Sequence, residues 1–190
     1  MRNYFDAVLA GHADAFQKTF VPEQLAVIDQ IVRAIIDMLK GGHKLLLCGN
    51  GGSGTDALHI AAEFVGRFEK ERISLPAIAL TADTASITAI GNDYGYDRVF
   101  ERQVEGLGQK GDVLFALSTS GKSPNVLKAI EKAKRKGILT VGFTGKDGGA
   151  MKDAVDLLFL VRSNKTAHIQ EMHMVALHGI CETVEGILFG

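Results

Sequence analysis

Lys44-Leu45-Leu46-Leu47-Cys48 runs directly into Gly49-Asn50-Gly51-Gly52-Ser53-Gly54, and the reading of this junction decides the fold. A short apolar run bounded by turn residues reads as a strand buried on both faces, the kind found in parallel sheets. The glycine turn after it opens a helical pattern over residues 54–68. The same grammar recurs along the chain. Residues 77–80, 112–118, 138–144 and 157–161 read as further buried strands, and residues 96–107, 124–136 and about 167–188 as helices. Strand–helix alternation of this kind predicts an α/β three-layer sandwich around a central five-stranded parallel sheet, flavodoxin-like, with right-handed crossovers. Ligands of such folds sit beyond the carboxyl ends of the strands, where the Gly/Ser/Thr-rich loops fall here.

Composition sets the outer limits. A chain of 190 residues, 46% hydrophobic and 23% charged, is about one soluble domain with a core that needs no disulfide or structural metal. Lys plus Arg number 21 against 22 Asp plus Glu, and that balance argues against nucleic acid as a partner. No apolar run approaches the ~18 residues that span a bilayer, so no membrane partner is expected. The stretch 7–10 is too short for the core of a signal peptide. Cys48 and Cys181 are too few and too far apart for a disulfide scaffold or thiolate cluster. The expected location is the cytoplasm.

Residues 1–40 differ in character. From Pro22, suited to a helix's first turn, Leu25, Ile28, Ile31, Val32, Ile35, Ile36 and Leu39 recur at helical spacing. An earlier helix is expected over much of residues 1–20. The apolar stripe of the second helix is wide, and either the sheet or another subunit would cover it. The chain therefore divides into a helical N-terminal extension, 1–40, assigned to oligomer contacts, and a domain over 41–190.

Two loops have the makings of phosphate cradles. Gly49–Gly54 lies between a strand and a helix, so its backbone N–H groups and the helix N-terminus favour an anion. It satisfies G-x-G-x-x-G formally, but the acidic residue that should close the second strand is missing; the first after it is Asp83. Ser118-Thr119-Ser120-Gly121-Lys122-Ser123 ends like a P-loop, yet its leading glycine falls at Ala116, and neither later strand ends in an acid for Mg²⁺. What remains is a hydroxyl-rich turn at a helix start, with Pro124 near the first position. One cap does not need four hydroxyls, and they suit a phosphate monoester.

Acid–base or metal chemistry has two candidate places. His59 and Glu63 are four apart on one helix and share a face, as metal ligands, a proton-transfer pair or a solvated ion pair. On the last helix Gln170 and His178 converge only on a ligand lying alongside it, being about 12 Å apart along the axis. Glu171 and His173 are expected to point elsewhere, as surface or interface groups. His178, among Ala176, Leu177 and Ile180, reads by itself as a core histidine.

Taken in order, Cys48–Ser53, Asp56, His59, Glu63, Gly91-Asn92-Asp93-Tyr94-Gly95, Ser118–Gly121, Thr144-Gly145, Ile169-Gln170-Glu171 and His178 resemble the phosphoheptose isomerase family of sugar-isomerase (SIS) domain proteins. The resemblance runs from about Lys44 to the C-terminus. It implies aldose–ketose isomerisation of sedoheptulose 7-phosphate to D-glycero-D-manno-heptose 7-phosphate, the first step toward the heptose of lipopolysaccharide. It implies a homotetramer with active sites at subunit interfaces and one zinc ion per subunit. By position, the metal ligands would be His59, Glu63, Gln170 and His178. Substrate contacts would come from Asn50, Gly51, Gly52, Ser53, Glu63, Asn92, Asp93, Ser118, Thr119, Ser120, Ser123 and Gln170. The catalytic pair would be Glu63, moving the carbon-bound proton, and His178, handling the oxygens or opening the ring. A fully ligating His178 could not also transfer protons freely. The chain departs from some members at Gly54-Thr55, where they carry His-Cys, and at Ala167-His168, where they carry Asp-Arg. The rival readings are a non-catalytic SIS protein of the replication-initiator-associating type and a SIS sensor of another sugar phosphate. Joint retention of His59, Glu63, Gln170 and His178 favours the enzyme.

Overall fold

Successive side chains on a strand point to opposite faces of its sheet. Leu45 and Leu47 accordingly join one apolar cluster and Leu46 and Cys48 another, all fully buried. In the computed structural model, which describes residues 2–190, five parallel strands carry these clusters: β1 (Leu45–Gly49), β2 (Ala77–Ala79), β3 (Val113–Ser118), β4 (Leu139–Gly145) and β5 (Leu157–Val161). Their spatial order is β2-β1-β3-β4-β5. Helices α2 (Pro22–Lys40), α3 (Gly52–Val65) and α7 (Thr166–Phe189) cover one face of the sheet; α5 (Val99–Leu107) and α6 (Pro124–Arg135) cover the other. The three-layer α/β arrangement is the one expected, with strand bounds within one residue of the sequence reading.

The chain order reverses across β1 and β3, which pair directly, with Gly49 opposite Leu117. This is the topological switch point where α/β sheets open a crevice for ligands. The loops that follow these two strands are the glycine loop and the serine loop.

From Ile31 onward the stripe on α2 is covered within the chain: Ile31, Val32, Ile35 and Ile36 are buried in the cluster with Phe159, Val161 and Leu177, while Leu25 at its start is exposed. The N-terminal helices also close the sheet edge. Gln24 Oε1 accepts the N–H of Leu160 at 2.9 Å, and Thr19 Oγ1 accepts that of Arg162 at 3.0 Å. The outer edge of β5 therefore offers fewer free donors to a foreign strand.

Two differences from the sequence reading concern helices. Helix α4 (Thr84–Tyr94) was not expected, because it buries no residue and so has no apolar stripe to betray it. Its start is local chemistry instead: Asp83 accepts the N–H of Ser86 at 3.1 Å. The pattern over 96–107 is a 3₁₀ turn (Tyr96–Arg98) followed by α5, and the change of path at Gly95, whose φ is +88°, separates both from α4.

Candidate active site

Glycines bring the first loop within reach of a ligand. At Gly51 φ is +53°, a left-handed conformation that glycine adopts without strain. At Gly52 a Cβ would lie 2.3 Å from Gln170 Nε2, so the missing side chain leaves the Gln170 amide its place over the start of α3. The serine loop turns on Gly121, with φ +63° and no room for a Cβ beside Gly148 O. Between the two loops and the first turns of α7 lies a cavity of about 280 Å³, lined by Asn50, Gly52, Ser53, Leu117, Ser118, Thr119, Ser123, Thr166 and Gln170. Ser118 and Ser123 share a hydrogen bond of 2.9 Å across its floor. Neither α3 nor α6 is capped by the side chain of its N-cap residue; in α6 Pro124 has no N–H and Asn125 Oδ1 takes that of Val126, so α3 offers the freer N-terminus. Hydroxyls, unfilled amides and two helix N-termini around a small polar cavity suit a phosphate.

Of the residues expected to touch substrate, Gly51 sits at the mouth of this loop, and Ser120 instead accepts the N–H of Lys122 at 3.2 Å. Asn92 and Asp93 lie on exposed α4 and bond to each other at 2.8 Å, apart from the cavity lining. Thr166 and Asn125 were not anticipated. The first is a helix-start residue with no motif around it; the second was hidden behind Pro124 as an ordinary first-turn residue.

A second cluster lies farther along the same two helices. His59 Nε2 and Glu63 Oε1 are 2.9 Å apart, the His178 ring stands edge-on to His59 with centroids 5.0 Å apart, and Phe68 stacks on His178 at 5.5 Å. Thus His178 is half-buried beside a carboxylate and a second imidazole. Gln170 is two turns away at the cavity and does not join these three. Two imidazoles and a carboxylate are donors that zinc accepts. One His59 nitrogen is committed to Glu63, however, and among the described residues no three His, Cys, Asp or Glu side chains are gathered to hold a metal ion.

Between the two clusters, Asp56 Oδ2 is buried with no hydrogen-bond partner. Burial pushes its carboxyl up to about 6, against the opposing pull of His59. His173 corrects the sequence reading: it is fully buried, with Nε2 3.2 Å from Thr144 O, under Phe143 and Phe159. Glu171 is exposed and pairs with His12, whose ring packs on His168 at 4.2 Å. His168 fits there because Gly11 has no side chain; a Cβ would come within 2.9 Å of the imidazole.

Comparison with known proteins agrees with this arrangement. The family model described as "SIS domain" matches residues 9–145. A phosphoheptose isomerase from a Bradyrhizobium species is 57% identical over 86% of this chain and 83% of its own length. One from a Nitratiruptor species is 51% identical over 97% and 98%.

The chain belongs to the phosphoheptose isomerase family.

The solved phosphoheptose isomerase of Neisseria gonorrhoeae superposes with a TM-score of 0.90 at 38% identity, covering 97% of this chain and 98% of that one. The Neisseria structure covers 97% of this chain, so the N-terminal helices have counterparts there.

Proposed function

We propose that this aldose–ketose isomerase interconverts sedoheptulose 7-phosphate and D-glycero-D-manno-heptose 7-phosphate in heptose synthesis, with the phosphate seated between the glycine and serine loops. The observation that carries the reading is the spacing of the two clusters. Gly52 meets Gln170 and His59 meets His178, so α3 and α7 run side by side in the same direction. The rise from one contact to the other is about 10 to 12 Å. A seven-carbon chain ending in a phosphate, with bonds of about 1.5 Å, extends over roughly 10 Å. Helical side chains also lean toward the N-terminus, which tips Glu63 and His178 back toward the phosphate.

The chemistry asks for a proton to leave C1 and one to arrive at C2, with hydroxyl protons exchanging between the two oxygens. Glu63 is the base for the carbon-bound proton, and His178 serves the oxygens. Its contact with His59 and Phe68 fixes the imidazole plane. Asn50, Ser118, Thr119 and Ser123 hold the phosphate, and Gln170 orients the chain between the ends. From the family resemblance a zinc ion, one per subunit, is proposed on His59, Glu63, Gln170 and His178, where a Lewis acid would polarise the carbonyl; in the single chain Gln170 stands two turns from the other three and the four are not gathered around one point. The protein is proposed to act in the cytoplasm as a homotetramer. His59 is half-exposed and Glu63 partly so, which supports sites completed by a neighbouring subunit.

The test is an assay with sedoheptulose 7-phosphate before and after chelation, with metal analysis of the same sample. Wild-type protein should form the aldose and lose activity as zinc is stripped. Glu63→Gln and His178→Gln should each lower kcat by at least about 10³-fold without changing the assembly. Full turnover in either variant would refute the assigned roles.

A further inference from the structure

Asn125, at the second position of α6, is only 3% exposed. Its Oδ1 accepts the N–H of Val126 at 3.0 Å and the Nδ2 of Asn50 at 2.9 Å; its own Nδ2 donates to Asn50 Oδ1 at 2.8 Å. The Tyr96 hydroxyl donates to the same Asn50 oxygen at 3.2 Å. This set of bonds has one sense only. The Val126 N–H can only donate, so the Asn125 atom facing it is oxygen. That atom then requires the nitrogen of Asn50 opposite it, and the Asn125 nitrogen requires the Asn50 oxygen. With two donors on Asn50 Oδ1, both its lone pairs are used. All that Asn50 has left for the cavity it lines is an N–H. An amide turned the other way would set an oxygen against the phosphate.

We propose that Asn125 is a positioning residue for the isomerase: it fixes the orientation of the Asn50 amide, so that the glycine loop meets the phosphate as a donor, and it ties that loop to the serine loop. The inference rests on reading the 280 Å³ cavity as the phosphate seat. Asn125 touches the substrate only through Asn50. Tyr96 plays a lesser part from the other side, on an exposed ring.

The test uses the full-length protein and measures kcat, KM for sedoheptulose 7-phosphate, inhibition by inorganic phosphate, and Tm. Asn125→Ala should raise KM and the phosphate inhibition constant together by about tenfold, the worth of one hydrogen bond to a charged group, with kcat changed less than about threefold. Asn125→Asp should raise both further, because a carboxylate cannot donate to Asn50 and repels the anion. Tyr96→Phe should shift both by about two- to threefold at unchanged Tm. In an Asn50→Ala background, adding Asn125→Ala should leave KM and phosphate inhibition within about twofold. A merely structural role predicts a lower Tm with KM unmoved, or effects that multiply in the double variant, and either result overturns the proposal. Should Asn125→Ala fail to fold, Tyr96→Phe decides: wild-type KM and phosphate inhibition there overturn it too. If phosphate does not compete with substrate in the wild-type protein, the phosphate seat itself is wrong. If phosphate competes equally in wild type and Asn125→Ala, the seat stands and the positioning role falls.

Discussion

His173 shows how one residue's setting becomes a property of the whole protein. Burial holds its imidazole down at about 4, against the opposing pull of the Thr144 carbonyl. Its Nδ1 has no partner, so a proton there would be both desolvated and unpaired. In the unfolded chain the same ring titrates near 6.5. Between these values the unfolded state binds the proton and the folded state does not, so stability falls as pH drops from about 6.5 toward 4. The loss is on the order of 3 kcal/mol. His173→Gln should flatten the Tm–pH curve across that window, and a variant with the wild-type slope would refute the assignment. This histidine was misjudged from sequence for a definite reason. Helical spacing separates the direction of His173 from that of Gln170 but does not tell which direction is the core. For α7 the sheet lies on the side of Ile169, Met172, His173 and Leu177. The loops were legible because glycines and hydroxyls act through local backbone chemistry. The roles proposed for Glu63 and His178 came with the family resemblance, since the two residues lie 115 apart in the chain and only the fold brings their helices together.

At the scale of elements, the site depends on α3 and α7 keeping their register, and one buried ion pair joins them. Arg72 Nε donates to Glu185 Oε1 at 2.6 Å, with both side chains at most 3% exposed. The other arms of the guanidinium reach the carbonyls of Glu63 (2.7 Å) and Phe64 (2.9 Å), at the C-terminal end of α3. Burial works against ionised Glu185, yet the N–H groups of Lys70, Phe68 and Glu69 and the Arg72 guanidinium hold its carboxyl down at about 2. Arg72→Met would strand a buried carboxylate and free two helix-end carbonyls. It should lower unfolding stability by about 3–5 kcal/mol, read as a lower denaturant midpoint. Arg72→Lys should recover little of this, because a lysine cannot fork between the carboxylate and the helix end. Near-complete recovery by lysine would show that charge alone matters and that α3 is not held by geometry. Nothing in the sequence announces this tie: Arg72 sits in a charged stretch, Glu69 to Arg72, that reads as solvated surface.

For the whole molecule, the decisive feature is the apolar surface that the single chain leaves uncovered. On α1 (Arg2–Thr19) the inner face, Ala15 and Thr19, is buried against the body. The outer face shows Phe5 (62% exposed), Leu9 (54%) and Phe16 (47%) at helical spacing, and Tyr4 (80%) is exposed as well. On α3, exposed Leu58 and Val65 flank His59 and Glu63. A lone soluble domain rarely displays rows of large apolar side chains, and burial against copies of itself is the covering that the proposed tetramer supplies. Stability of the chain and assembly are separable here, since most of the α2 stripe is already satisfied internally while the α1 stripe is not. Leu9→Asp places a charge on the outer face of α1 without touching the core. It should leave the far-ultraviolet circular dichroism unchanged while lowering the mass measured by light scattering. Specific activity should fall with the tetramer fraction as the protein is diluted, and recover at high concentration, because the proposal builds the sites between subunits. A Leu9→Asp protein of unchanged mass would remove α1 from the interface. One that is monomeric and fully active would show that each chain carries a complete site.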